Sequence, residues 1–148
     1  MFHAKEYVKA ESLEQAYELN QKRSNVLAGG MMWLKMSSGN RNTVIDLSGL
    51  GLDQIEETED EFRIGCMCSL RQLELHKGLN QYFGGAFREC TRWIVGTQFR
   101  NSATVGGSVF GRFGFSDILT CMMVLDSYVE LYKGGTVSLE EFAKMKYS

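Results

Sequence analysis

The class of fold is first indicated by residues 25–32, Asn25-Val26-Leu27-Ala28-Gly29-Gly30-Met31-Met32. Its first four residues read as a short buried strand, and the two glycines end that strand. Good helix formers follow, so a helix is predicted over residues 31–36, before Ser37-Ser38-Gly39. A buried strand that passes directly into a helix is the repeating unit of parallel α/β sheets.

The segments on either side extend this alternation. Residues 5–9 read as a short strand, and residues 43–47 read as the next strand after the glycines. Between them, Ser12 is the predicted N-cap of a helix over residues 13–21, with Gln15 as its capping-box partner. The order β-α-β-α-β with short loops predicts a small parallel sheet with right-handed crossovers.

From about residue 52 the pattern changes to a hairpin followed by helices. Two strand-like stretches, 54–58 and 62–66, flank an acidic turn, and a glycine-rich part, residues 96–115, has no clear period. The other predicted elements are a helix that Ser69 caps and Gly78 ends, helical spacing over 79–93, a helix over 117–125, a strand over 127–132 and a last helix that Ser138 caps and that runs to the end of the chain. We therefore predict an α+β fold with a parallel βαβαβ lobe over 1–51 and a lobe of mixed or antiparallel sheet with helices over 52–148.

Composition excludes several classes of protein. The 148 residues carry a net charge of −2 with both signs interspersed, which argues against nucleic-acid binding. No apolar run approaches the roughly 18 residues that cross a bilayer, and no secretory leader opens the chain. We therefore expect a cytoplasmic protein with neither a membrane nor a nucleic acid as its partner.

Side chains for catalysis or metal binding are scarce. Cys66, Cys68, Cys90 and Cys121 form no C-x-x-C pair, and they are expected to be free thiols, with the C-x-C pair on a strand. No metal site is predicted. The histidines, His3 and His76, complete no catalytic triad, and His76 is explained by a contact with the end of a helix. Trp33 and Trp93 are expected to anchor the core.

Two glycine pairs are candidates for binding a phosphate. The first glycine segment, residues 27–32, would expose main-chain N–H groups at the start of a helix; the alternative is a tight turn without a ligand. The second glycine segment, residues 98–108, adds the hydroxyls of Thr104 and Ser108; the alternative is a bulged loop in a strand. Neither segment completes a P-loop or a Rossmann fingerprint. If the two pairs converge, their amides can hold one diphosphate.

The second glycine segment, QFRNSATVGGS, resembles the QIRNxATxGGN motif of the FAD-binding subunits of molybdopterin-dependent dehydrogenases, the xanthine dehydrogenase and carbon monoxide dehydrogenase family. Leu27 to Gly30 resembles the AGGTDLL loop of the same family, with Met31-Met32 in place of its Thr-Asp. Residues 44–47, 64–65 and 116–118 also match, in order, along nearly the whole chain.

The resemblance implies a two-lobed FAD-binding fold of the PCMH type, with FAD extended between the lobes. It implies that residues 28–33 and 104–108 wrap the pyrophosphate and that Asp117 lies near a sugar or ribityl hydroxyl. The implied cofactor-binding residues are Ala28, Gly29, Gly30, Met31, Met32, Trp33, Thr104, Val105, Gly106, Gly107, Ser108 and Asp117. The residues themselves predict no catalytic side chain and no metal ligand on this chain. Arg112 lies in a stretch that departs from the family pattern, residues 110–115, and can add charge near the phosphates.

The implied function is that of a flavin-dependent oxidoreductase subunit of the xanthine dehydrogenase type. Electrons would pass from a molybdenum-cofactor subunit, through the clusters of a [2Fe–2S] subunit, to the flavin and then to NAD or another acceptor. The family's C-terminal domain is not part of this sequence. The alternative is a scaffold of the same fold that has lost the flavin and acts through partner binding.

Overall fold

The computed structural model, which describes residues 1–146, begins with a three-stranded parallel sheet. Its strands are β1 (Phe2–Lys9), β2 (Val26–Ala28) and β3 (Gly39–Asp46). β3 lies in the middle, and both neighbours run parallel to it, with Val8 opposite Ile45 and Ala28 opposite Asp46. The predicted parallel sheet is therefore confirmed, and the carboxyl ends of all three strands lie at one edge.

The first crossover is helix α1 (Leu13–Asn20), which begins where it was predicted. The Ser12 hydroxyl accepts the N–H of Gln15 at 3.1 Å. The side chain of Gln15 reaches one residue further back than a capping box requires and accepts the N–H of Glu11 at 2.7 Å.

The second crossover contains no α-helix among its described residues, so the helix predicted over 31–36 is wrong. It holds a single 3₁₀ turn, Leu34–Met36. Met31 has a φ of +60°, in the left-handed region that a right-handed helix excludes. The chain therefore leaves β2 through a turn, and the N–H groups directly after Gly30 are not used in an α-helix.

Beyond residue 52 the structure has two antiparallel hairpins and seven helices within its described part. The hairpins are β4 (Ile55–Glu57) with β5 (Phe62–Ile64), and β6 (Tyr128–Leu131) with β7 (Gly135–Ser138). The helices are α2 (Leu70–Leu75), α3 (Lys77–Tyr82), α4 (Ala86–Thr91), α5 (Thr97–Ser102), α6 (Val105–Phe110), α7 (Asp117–Met123) and α8 (Leu139–Lys144). The predicted combination of a parallel lobe with antiparallel sheet and helices is confirmed.

Several local predictions in this part need correction. The glycine-rich residues 96–115 hold α5 and α6, because helices of six residues are too short to show a hydrophobic period. Gly78 lies inside α3, and α2 ends earlier, at Leu75; the next residue, His76, caps α3, and its Nδ1 accepts the N–H of Leu79 at 3.0 Å. α8 ends at Lys144, and residues 147 and 148 of the predicted last helix lie outside the described residues. Cys66 and Cys68 lie in the turn after β5, so one is exposed and the other buried.

The apolar side chains form two clusters. The smaller one packs Ala10, Ala16 and Ile45 between the parallel sheet and α1. The larger one gathers residues from β4 to α8, and its most buried members include Leu73 and Ile118. The division of the chain at residues 51 and 52 stays a prediction. Among residues 1–146, no helix is long and apolar enough to cross a membrane.

Candidate functional site

The two glycine segments are in direct contact. A β-carbon on Gly30 would overlap the carbonyl oxygen of Ser102, and one on Gly29 would lie 2.6 Å from Oγ1 of Thr104. Gly30 is therefore a position where only the absence of a side chain allows two stretches of main chain to meet. The two glycine segments, on whose convergence the diphosphate hypothesis depends, therefore lie side by side, and the first pair contacts Ser102 and Thr104 of the second segment.

The first glycine segment leads into a series of main-chain N–H groups without acceptors. Within the described chain, no hydrogen bond is donated by the amides of residues 29–34, here called the amide row. The residue after the amide row, Lys35, donates its N–H to Met31 O at 2.9 Å, and this bond closes the turn that carries the row. Successive amides around a left-handed residue form a concave anion-binding nest, and Met31 supplies that residue. The amide row is thus suited to a phosphate or diphosphate.

The second glycine segment has already paired its own first amides. The N–H of Val105 donates to Cys68 O and that of Gly106 to Cys66 O, both at 2.8 Å. The N–H of Gly107 donates to Oγ1 of Thr104 at 3.2 Å. The first turn of α6 is thereby tied to the turn after β5 and offers a ligand fewer donors than the amide row does.

Thr104 provides the polar atom of the second glycine segment that faces the first. Its side chain is buried against Gly29, and its Oγ1 accepts from Gly107. The hydroxyl proton of Thr104 is not donated to any acceptor in residues 1–146, so it can serve a ligand held by the amide row. The Ser108 hydroxyl, in contrast, donates to Thr104 O at 3.0 Å.

An exposed group of aromatic rings lies beside the amide row. Trp33 is 53% exposed. The centroid of its ring lies 5.7 Å from the ring centroid of Phe115 and 6.4 Å from the ring centroids of Phe99 and Phe113. Trp93 is 78% exposed. The expectation that both tryptophans anchor the core is therefore wrong, because each leaves most of its ring at the surface.

The arginine of the second glycine segment has a structural position. Arg100 is buried and donates to Glu74 Oε2 at 3.1 Å, and Arg71 donates to the same oxygen at 2.7 Å. Burial is the largest effect on Glu74 and alone would raise its pKa, but the two guanidinium groups outweigh it and hold the pKa below its ordinary value. This ion pair joins α2 to α5 and so fixes the segment that touches Gly30.

Asp117 begins helix α7 and is exposed. Its neighbour Ser116 caps the helix by accepting the N–H of Leu119 at 3.2 Å, and the Ser116 hydroxyl donates to Ser108 O at 3.0 Å. The latter bond ties the start of α7 to the second glycine segment. Arg112 donates to Phe142 O of α8 at 3.0 Å, and its place near the phosphates stays a prediction.

Sequence reasoning missed two features at this edge of the sheet. The Leu34 amide extends the amide row beyond the predicted residues. Asp46 ends β3 beside Ala28 and accepts hydrogen bonds from Tyr7 and Ser48. Burial would raise the pKa of Asp46, but these bonds outweigh it and lower the pKa. A polar residue at the carboxyl end of a parallel strand was the available signal.

Two depressions elsewhere in the described part of the chain include none of the predicted site residues. The larger of them, of about 510 Å³, is shallow and lies near Ser69, Arg71 and Asn101. No group of three or more metal-ligating side chains is found in residues 1–146.

Comparison with known proteins identifies a family. The model of a family described as "FAD binding domain in molybdopterin dehydrogenase" matches residues 2–148. The protein YgfM of Escherichia coli (strain K12) is 25% identical over 141 residues, which cover 93% of this chain and 53% of YgfM. The 6-hydroxypseudooxynicotine dehydrogenase complex subunit alpha of Paenarthrobacter nicotinovorans is 26% identical over 131 residues, covering 84% of this chain and 44% of that subunit.

A solved structure shares the fold. The carbon monoxide dehydrogenase from Hydrogenophaga pseudoflava, in a form that lacks the Mo-pyranopterin moiety of the molybdenum cofactor, superposes with a TM-score of 0.79 at 22% identity. The match covers 91% of this chain and 50% of the matched chain. The chain thus spans about half the length of the curated relatives and of the solved structure that it matches.

Proposed function

The chain belongs to the family of FAD-binding domains in molybdopterin dehydrogenases, and we propose on that premise that it is the electron-transfer part of a molybdenum-containing hydroxylase or dehydrogenase complex. Its cofactor is FAD. The flavin, when bound, supplies the redox chemistry that connects [2Fe–2S] clusters on one partner subunit with NAD or another acceptor. A subunit with the molybdenum cofactor completes the proposed assembly, and its substrate is oxidised there rather than on this chain.

The observation that carries the proposal is the amide row held against the second glycine segment. In the proposed complex with FAD, the amides of residues 29–34 donate to the pyrophosphate oxygens. The Thr104 hydroxyl, which lies against Gly29, donates to the same group. In the same proposed complex, Ala28 and the residues from Val105 to Ser108 line the pyrophosphate position. Asp117 accepts a hydrogen bond from a hydroxyl of the sugar or ribityl chain.

The residues present fit this cofactor. A pyrophosphate needs several donors on a surface without bulky side chains, and the amide row provides unpartnered donors beside two glycines. Met31 and Met32 stand where the family has Thr and Asp, but a row of amides does not depend on the side chains of its residues. The exposed ring of Trp33 adds an aromatic surface to the same segment.

A specific observation also favours a second candidate, the scaffold that has lost the flavin. The first amides of α6 already have protein acceptors, and the rings of Trp33, Phe113 and Phe115 are exposed. A scaffold that acts through partner binding would keep both features and would bind no nucleotide.

Titration of the purified full chain with FAD, FMN and ADP separates these candidates. Trp93→Phe leaves Trp33 as the single tryptophan, and the proposal expects FAD to quench its fluorescence, with FMN and ADP binding more weakly. The matched variant Trp33→Phe reports from Trp93 and should respond less. Equal affinity for FAD and ADP would point to a phosphate-binding module without a flavin contact, and no binding of any of the three would favour the scaffold.

The four free thiols support the expected cytoplasmic location, because reducing compartments keep cysteines unpaired. Fractionation of cells that express the full-length protein tests this location.

A further inference from the structure

Three exposed aromatic side chains from two distant segments meet beside the amide row. Trp33 belongs to the row itself, and Phe113 and Phe115 lie in the connection between α6 and α7. The rings of Phe113 and Phe115 are stacked, with their planes 10° apart and their centroids 5.1 Å apart. The ring centroid of Trp33 lies 6.4 Å from that of Phe113 and 5.7 Å from that of Phe115, so the three rings form one continuous surface, here called the aromatic platform.

The aromatic platform stays open to solvent although its rings contact one another. Phe115 is 64% exposed, Trp33 53% and Phe113 41%. A large apolar ring that remains in water does not gain the stabilisation that burial would give it. Contiguous exposed apolar surface is typical of a place where a ligand or partner binds. The stability of the fold therefore does not account for three neighbouring rings at the surface.

The segment that carries the two phenylalanines is fixed at the proposed cofactor site. It connects the end of α6 to Asp117, the first residue of α7. The hydroxyl of Ser116, next to Phe115, donates to Ser108 O at 3.0 Å. Phe115 is thus held two residues before Asp117, which is proposed to bind a hydroxyl of the sugar or ribityl chain, while Trp33 carries one of the amides proposed to bind the pyrophosphate.

The extent of the aromatic platform distinguishes between the two ring systems of FAD. A diphosphate held by the amide row has adenine on one side, beyond a ribose, and isoalloxazine on the other side, beyond the ribityl chain. Both are planar, and planar ring systems stack on aromatic side chains. One aromatic side chain can cover the two fused rings of adenine, whereas three neighbouring rings provide a surface for the three fused rings of isoalloxazine.

We propose that the aromatic platform binds the isoalloxazine ring of FAD by stacking and makes the site selective for flavin nucleotides over ADP. This inference rests on the proposed function, because it requires a diphosphate held by the amide row. Phe115, the most exposed of the three rings, is the specificity-determining residue. Phe113 and Phe115 lie in the stretch, residues 110–115, that departs from the family pattern, so the resemblance does not imply the platform.

The test compares the affinities of the full chain for FAD, FMN and ADP by isothermal titration calorimetry. Phe115→Ala should weaken the binding of FAD by roughly 5- to 100-fold, the loss of one stacking contact, and that of FMN likewise, but should leave ADP affinity unchanged. Phe115→Tyr keeps an aromatic ring and should bind FAD as the wild type does. Phe115→Leu keeps an apolar side chain without a ring and should resemble Phe115→Ala.

Tyr82→Ala is the matched control, because Tyr82 is an exposed aromatic residue on α3. It should leave all three affinities unchanged. Wild-type FAD affinity in both Phe115→Ala and Phe115→Leu would overturn the platform and leave the proposed function standing. An equal loss of FAD and ADP affinity would also overturn it, because the ring would then serve adenine or the fold. A wild-type chain that binds none of the three nucleotides would overturn the proposed function and the platform together.

Discussion

Gly30 packs so closely on the main chain of Ser102 that the carbonyl oxygen of Ser102 occupies the space where a β-carbon of residue 30 would stand. This contact joins the first glycine segment, at the edge of the parallel sheet, to the end of α5. The turn that carries the amide row is therefore supported by the second glycine segment. Its shape depends on residues far away in the sequence.

The first prediction concerns this contact. Gly30→Ala should destabilise the fold by roughly 1–3 kcal/mol, because the new methyl group must push two stretches of main chain apart. It should also weaken FAD binding, since the displaced chain carries the amide row. Thermal unfolding and FAD titration measure the two effects. Gly96→Ala is the matched control, because a β-carbon there meets no atom within 4 Å; equal effects of the two substitutions would contradict the account.

The second prediction separates two neighbouring glycines of α6. A β-carbon on Gly106 would lie 2.7 Å from Cys66 O and 2.8 Å from Cys66 Cβ, so Gly106→Ala should cost roughly 1–3 kcal/mol of stability. A β-carbon on Gly107 would have one close neighbour, Thr104 Oγ1, at 3.2 Å. Gly107→Ala should therefore leave the fold intact. Alanine favours a helix over glycine by about 1 kcal/mol, and this gain offsets the cost of the close approach to Thr104 Oγ1.

Because Gly107→Ala keeps the fold, any change in its FAD affinity reports on the ligand. We expect a lower affinity in a titration of this variant, since the resemblance to the family puts the pyrophosphate beside this residue. An unchanged affinity would mean that the second glycine segment supports the site without touching the cofactor.

The third prediction concerns the buried ion pair. Arg100→Met should destabilise the protein by roughly 1–3 kcal/mol, because the buried carboxylate of Glu74 would lose one of its two guanidinium partners. Urea unfolding measures the loss. Arg92→Met removes an exposed ion pair with Glu89 and should change stability little. A similar midpoint for both variants would show that the buried pair does not stabilise the packing of α2 on α5.

The fourth prediction is the acid sensitivity that follows from Glu74. Its pKa is lowered in the folded protein, so the unfolded chain binds the proton more readily. The ionised carboxylate of Glu74 stabilises the fold at pH values above its ordinary pKa near 4.5. This stabilisation is lost as the pH falls through that value and then through the lower pKa of the folded protein. Unfolding free energies measured from pH 7 to pH 3 should fall in the wild type. The fall should be shallower in Glu74→Gln, and parallel curves for the two proteins would refute this assignment.

Local signals in the sequence predicted the elements that local chemistry determines. Ser12, Ser69 and Ser138 cap helices as predicted, because an N-cap hydroxyl and the amide it accepts lie within three residues. The alternation of strands and helices was likewise sufficient to predict the parallel sheet. The resemblance of residues 98–108 to a family motif indicated FAD, which the match to the family model supports.

Features that depend on distant residues were not predictable from these signals. Met31 is left-handed directly after Gly30, whose close contact with Ser102 joins residues far apart in the sequence, and the helix formers in residues 31–36 indicated neither feature. The buried position of Arg100 depends on Glu74, 26 residues away. α5 and α6 were missed because helices of six residues show no hydrophobic period, and the larger cluster on which their apolar residues pack is assembled from distant parts of the chain.

The central claim is that the amides of residues 29–34 hold the diphosphate of FAD. The most direct measurement is a titration of the ¹⁵N-labelled full chain with FAD, and in parallel with ADP, followed by amide chemical shifts. The account predicts that the largest shifts common to both ligands fall on residues 29–34, with smaller ones on the paired amides of Val105, Gly106 and Gly107. Unchanged amides at 29–34 in the presence of bound FAD, or largest shifts elsewhere, would contradict it.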